Sequence, residues 1–202
     1  MTRTDGKADL NPRHAHVAYI SVGSNLGDTM AHCRFGISRV AAHPDIALTA
    51  TSPFYRTAPV DYADQDWFVN AAFRIATSLS PHQLLAATGA VQAAAGQGEK
   101  AIRFGPRILD LDLIFYDDLV LKSVDLELPH PRMHKRRFVL KPMCDINPAI
   151  VHPIYGKTRD DDSWGVGGTL FDKSLLGVLG KDWWATATAA SASAGLPIRF
   201  TW

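Results

Sequence analysis

One stretch constrains the fold more than any other: Arg103-Phe104-Gly105-Pro106-Arg107-Ile108-Leu109-Asp110-Leu111-Asp112-Leu113-Ile114-Phe115-Tyr116. Gly105-Pro106 punctuates the backbone, because proline fixes φ and has no N–H. From Ile108 to Tyr116 nearly every residue is branched or aromatic, the pattern of a strand buried on both faces. Two carboxylates sit inside it. Asp110 and Asp112 are two residues apart, so a strand points both to one face, about 7 Å apart along the chain. Buried carboxylates without partners are costly. The pair therefore calls for cations: Arg103 and Arg107 nearby, or a hard divalent metal such as Mg²⁺. That ion takes one or two carboxylates and leaves its other positions to water and phosphate oxygens. A solvated pair at a strand end, held by the two arginines, is the plainer alternative.

The remaining composition bounds the answer. A chain of 202 residues with 47% hydrophobic content forms one domain, with or without tails. A net charge of +1 provides no global field for nucleic acid or a membrane surface, so an anionic ligand must be held by local arginines. The two cysteines, Cys33 and Cys144, lie far apart in apolar contexts and are expected to be reduced core residues. No apolar run reaches transmembrane length and no signal peptide opens the chain, so the expected location is the cytoplasm.

Three segments are expected: a flexible tail over 1–15, a domain over 16–158, and a C-terminal extension over 159–202. The extension is partly low-complexity, being Ala/Ser/Thr-rich from Ala185 to Gly195. Within the domain, alternation predicts a strand over His16–Gly23, followed by the loop Gly23-Ser24-Asn25-Leu26-Gly27-Asp28. That loop suits either a phosphate cradle or a plain turn. A helix follows over Met30–Ala42, then strands over Ile46–Thr57 and Trp67–Ser78. Phe68, Asn70, Ala72 and Arg74 share one face of the latter. Asn70 interrupts an otherwise apolar pattern; its amide suits the edge of a heterocycle or, equally, a backbone carbonyl in a bulge. Ser80-Pro81 starts a second helix that runs to about Ala95. The glycine-flanked segment Gly96–Ile102 has the look of a lid. Beyond Tyr116, Asp117-Asp118 and Leu119–Leu121 predict a hairpin back along the central strand. A short helix over Phe138–Asp145 and a last strand over Ile150–Pro153 complete the domain. Thr169–Leu179 suggests one more helix, and Leu196–Trp202 is apolar enough to dock. His130, pinned between Pro129 and Pro131, and His134 suit general-base or phosphate-donor roles, or simply surface positions. Lys135-Arg136-Arg137 is either a phosphate clamp or a solvated helix start.

The element order is that of a ferredoxin-like βαββαβ α+β domain, an antiparallel sheet with helices packed on one face. Together with the motifs, it resembles the 6-hydroxymethyl-7,8-dihydropterin pyrophosphokinase family from about Val17 to Pro153. Phe104–Ile114 is the most specific piece. Gly23–Gly27, Phe54–Thr57, Phe68–Ala71 and Pro129–Met133 support it.

The resemblance implies an ATP-dependent enzyme that passes pyrophosphate to the hydroxymethyl group of a reduced pterin, giving AMP, in folate or related pterin-cofactor synthesis. It implies ATP and the pterin as ligands and two Mg²⁺ ions on Asp110 and Asp112. Arg107 and Lys100 would act on the transferred group. Asn70 would read the pterin edge, with Phe138 and Phe68 against the ring and Thr57, Ala58 and Val60 lining the pocket. Gln92, Arg103, Arg107, Leu113, His130 and Arg136 would meet the nucleotide. Gln92, Gln97 and Glu99 stand where the family commonly has a Glu and two arginines, so a catalytically weakened pterin- or nucleotide-binding paralogue is the alternative reading.

Overall fold

The computed structural model describes residues 15–59, 64–96 and 105–156, together with the backbone of 198–200. Strand β1 (His16–Ser24) lies inside a sheet, antiparallel to β4 (Phe68–Thr77) on one side and to the edge strand β5 (Asp110–Tyr116) on the other. Strands β2 (Ile46–Thr51) and β3 (Phe54–Thr57) both pair with β4. With helices α1 (Thr29–Ala41) and α2 (Pro81–Ala94), and with β2 and β3 counted as one interrupted strand, the order through β5 is the expected βαββαβ.

Local chemistry explains the helix starts. Asp28 Oδ1 accepts the N–H of Ala31 at 3.0 Å, capping α1. Ser80 and Gln83 form a reciprocal capping box on α2, with Pro81 at its first position.

The expected single strand Ile46–Thr57 is in fact two. Pro53 has no N–H to give the ladder, and at this break the Ser52 hydroxyl accepts the Ala72 N–H at 2.9 Å. The expected hairpin back along β5 does not form. Asp117 turns the chain with a φ of 46°, and β6 (Leu121–Lys122) pairs instead with β7 (Glu127–Leu128). Two- and three-residue apolar runs cannot encode which neighbour they choose. Ile150–Pro153 is also not a strand: the chain turns there, with Ile150 N–H bonded back to Asn147 O at 3.2 Å.

Alternation along the strands divides the core between two faces. Ala18, Ile20, Val22, Val69, Ala71, Phe73, Leu111 and Leu113 pack with Cys33, Ile37, Val40 and Leu84 from α1 and α2. The Cys33 thiol is pushed up to about 12 by burial, so it is an inert core group; Cys144 is half-buried. The other face carries Tyr19, Ala72, Ile114 and Phe115. It is covered by Met133 and by Val139, Leu140 and Met143 of helix α3 (Arg137–Ile146). The two helices of the βαββαβ unit thus share one face, as expected, and α3 adds a layer on the other. The C-terminal strand β8 (Ile198–Phe200) pairs in parallel with β3. The expected tail over 1–15, but for its last residue, and the expected helix over Thr169–Leu179 lie outside the described residues. Among the described residues no helix is long and apolar enough to cross a membrane.

Candidate active site

Register across the central strands builds the site. Gly23 stands opposite Asn70 on one side and Asp110 on the other; Ser21 stands opposite Ala72 and Asp112. Asn70 and the carboxylate pair therefore lie on one face, separated by two strand spacings, roughly 9–10 Å. Between them Ser21 and Gly23 contribute almost no side chain and leave a floor. A cleft opens above it. It is lined by Thr57, Ala58, Gln65 and Phe68, by His130, Arg132, Arg136 and Phe138, and, at the carboxylate pair, by Arg107, Asp110 and Asp112.

At the Asn70 end the geometry is tight. Asn70 is only 4% exposed, and its Nδ2 donates to Thr57 Oγ1 at 2.7 Å. A Cβ added at Gly23 would stand 2.7 Å from Asn70 Oδ1, so glycine is required there to admit the amide. The bulge alternative for Asn70 is not what forms: its pairing with Gly23 and Tyr55 is regular.

The carboxylate end is dense in charge. Arg107 Nη1 pairs with Asp110, and Arg136 Nη1 stands 3.7 Å from Asp112. Arg136 also lies over the ring of Phe138, 5.5 Å from its centroid. His130 is brought in by a backbone bond, its N–H donating to Ile114 O at 3.0 Å. Its Nδ1 accepts the Arg132 N–H at 3.2 Å, which puts the imidazole proton on Nε2. Burial pushes His130 down to about 4, helped by the charges of Arg136 and Arg132, so at neutral pH the ring is an uncharged donor.

No cluster of three or more His, Cys, Asp or Glu suited to a metal occurs among the described residues. Two same-face carboxylates at the end of an arginine-lined cleft nevertheless match what Mg²⁺ takes from protein when phosphate oxygens supply the rest.

Of the residues singled out from sequence, Thr57, Ala58, Phe68, Asn70, Arg107, Asp110, Asp112, His130, Arg136 and Phe138 meet in this cleft. Gln92 and Leu113 do not line it. Gln92 Oε1 accepts the Leu111 N–H at 2.9 Å, and Leu113 is buried under α1 and α2. Val60, Lys100 and Arg103 lie outside the described residues. Ser21, Gln65 and Arg132 line the cleft without having been singled out. The signal for Ser21 was present: a small polar residue on one face of an apolar strand.

Comparison with known proteins points to one family. The model of the 7,8-dihydro-6-hydroxymethylpterin-pyrophosphokinase family matches residues 19–148. The 2-amino-4-hydroxy-6-hydroxymethyldihydropteridine pyrophosphokinase of Methylorubrum extorquens is 41% identical over 134 residues, covering 66% of this chain and 84% of that protein. The protein of the same name from Bacillus subtilis is 38% identical over 131 residues, covering 65% and 78%. A folic acid synthesis protein of Dictyostelium discoideum is 38% identical over 138 residues, but the chain spans only 20% of its length. A solved Plasmodium falciparum HPPK-DHPS structure with pteroate matches at a TM-score of 0.58 and 12% identity, over 74% of this chain and 42% of that one, a likeness of fold alone. The family match runs from within β1 to the end of α3 and so takes in every strand and helix that lines the cleft: the chain belongs to the 7,8-dihydro-6-hydroxymethylpterin-pyrophosphokinase family.

Proposed function

We propose that this chain transfers pyrophosphate from ATP to the hydroxymethyl group of 6-hydroxymethyl-7,8-dihydropterin in the cytoplasm, releasing AMP. One observation carries the reading: a buried amide and a carboxylate pair share one sheet face, separated by a floor of Ser21 and Gly23. A flat heterocycle read at its polar edge by Asn70 would extend its substituent along that floor toward Asp110. Phe138 and Phe68, which both line the cleft, would flank the ring. Thr57 fixes the Asn70 amide, so the donor and acceptor offered to the pterin are set before it arrives.

At the far end Asp110 and Asp112 would hold Mg²⁺. The bound metal would neutralise triphosphate charge and polarise the transferred group. Arg107 and Arg136, which stand against these carboxylates, would also be within reach of phosphate oxygens. Neutral His130 would donate from Nε2 to a phosphate oxygen without adding charge. The hydroxymethyl oxygen would form its bond to the β-phosphorus and give up its hydroxyl proton to solvent, while the bond from that phosphorus to the α–β bridging oxygen breaks and AMP leaves with that oxygen. Positioning and charge stabilisation supply most of the catalysis in such transfers.

Relatives named for the pyrophosphokinase support the enzyme over the binding-module alternative. The test is AMP formation from ATP, dependent on both Mg²⁺ and the hydroxymethyl pterin. Pterin binding without AMP release at saturating Mg²⁺ would favour the binding module.

A further inference from the structure

Asn25 has no part in the contacts proposed above, yet its amide joins three segments of the cleft wall. It lies in the loop between β1 and α1 and is only 2% exposed. Its Nδ2 donates to Gln65 Oε1 at 2.9 Å and to the Asp66 backbone oxygen at 3.2 Å. Its Oδ1 accepts the Arg107 N–H at 2.7 Å, and its own N–H donates to Arg107 O at 3.0 Å. The backbone of Arg107 is thus gripped twice while its guanidinium faces Asp110. Gln65 and Arg107 both line the cleft. Among side chains of this size only an amide offers donors to one segment and an acceptor to another.

We propose that Asn25 is a positioning residue for the reaction: it sets the phosphate-end arginine against the Gln65 lip of the pterin end. The proposal rests on the pyrophosphokinase reading. It predicts that the two ends can be uncoupled chemically, which a plain loop staple would not allow. In Asn25→Asp, one carboxylate oxygen still accepts from Arg107 N–H. The other faces Gln65 Oε1 and Asp66 O, where a donor had been. Whether Gln65 swings away or turns its amide over, the group it presents to the cleft changes. Asn25→Ala removes both connections and leaves only the main-chain bond to Arg107 O.

The experiment measures amide hydrogen exchange without ligands, and steady-state AMP release, for the full chain and both variants. Asn25→Asp should keep the Arg107 amide protected while residues 64–67 exchange faster. Its kcat should stay within about threefold of wild type while KM for the pterin rises about tenfold, the loss expected of one disrupted polar contact. Lowering the pH protonates the new carboxyl and restores a donor, so this KM should fall back toward the wild-type value, measured at the same pH. Asn25→Ala should lose Arg107 protection and lower kcat about tenfold or more. Identical kinetic patterns in the two variants, or wild-type kcat and KM in both despite a lowered Tm, would overturn the proposal. Wild-type chain that releases no AMP while the exchange pattern holds would instead overturn the assigned reaction, and the kinetic half of the proposal with it.

Discussion

Replacing Gly23 by alanine tests the proposed pterin end of the cleft through a single methyl group. Nothing in the backbone forbids the change, because Gly23 lies in a regular strand and is not among the positive-φ glycines. The cost is local: the new Cβ would stand 2.7 Å from Asn70 Oδ1, and an ordinary contact begins at 3.4 Å. The amide oxygen must therefore move by about 0.7 Å, more than an active-site constellation tolerates without losing its geometry. Asn70 cannot move freely, since its Nδ2 is bonded to Thr57 Oγ1 at 2.7 Å and the residue is buried. Overpacking of this kind costs about 1–3 kcal/mol of stability. Loss of the aligned amide should cost a further 1–3 kcal/mol or so in pterin binding, roughly tenfold to a hundredfold in affinity. Titration calorimetry with the pterin, against nucleotide alone, separates the two ends: nucleotide affinity should stay within a few-fold. The same substitution in an Asn70→Ala background should cost almost nothing more, because the atom it strikes is gone. If Gly23→Ala binds pterin like wild type, or if its effect is undiminished without Asn70, then Asn70 does not read the pterin and the floor argument fails.

The other expectations follow from the same geometry. Asp110→Asn and Asp112→Asn should each lower turnover about a hundredfold or more and weaken Mg²⁺-dependent ATP binding, with pterin affinity nearly unchanged; near-normal turnover at limiting Mg²⁺ would remove the metal assignment. Tyr55, buried under α3, donates its hydroxyl to Asp145, which also pairs with Lys141; Tyr55→Phe should cost up to about 1.5–3 kcal/mol and several degrees of Tm, checked by thermal denaturation. Burial pushes His130 and His152 from an ordinary 6.5 to about 4, with Arg136 and Arg132 adding to the first and His134 to the second. The unfolded chain takes up those protons first as pH falls, so their contribution is full above pH 6.5 and is lost on descending to about 4; His152→Gln should flatten that limb of a Tm-against-pH profile. On sequence alone, Gln97→Arg with Glu99→Arg should raise kcat about tenfold at nearly constant KM, and Lys100→Ala should lower it.

Much of the fold was legible because alternation has only one reading when it is long. The ten-residue strand Phe68–Thr77 shows its two faces directly in the sequence, and both appear as read, Phe73 toward α1 and Asn70 toward the cleft. Legibility ends where the deciding term is not local. Pro53 announces an interruption, but not that both halves of the broken strand stay on β4, which depends on Ala72 finding the Ser52 hydroxyl. The segment after Tyr116 has strand-forming residues either way; the positive φ at Asp117 sends it from β5 toward β7, and no periodicity carries that information.

The site divides along the same line. Asp110 and Asp112 could be placed together because spacing within one strand fixes a shared face. What spacing cannot supply is adjacency across strands. Gly23 in sequence belongs to a turn-like glycine loop; in the sheet it is the gap between Asn70 and Asp110, and its importance exists only in that register. Gln92 and Leu113 show the converse. Each was singled out for the nucleotide, yet in this structure the first gives its amide oxygen to the Leu111 N–H and the second gives its side chain to the core. Gln92 still bears on the cleft from behind. Gln92 holds the β5 backbone at the one residue between the two aspartates, so its amide helps set how both carboxylates project. A residue can thus bear on the carboxylate pair through the strand it braces, a role that neither its type nor its distance along the chain from Asp112 discloses.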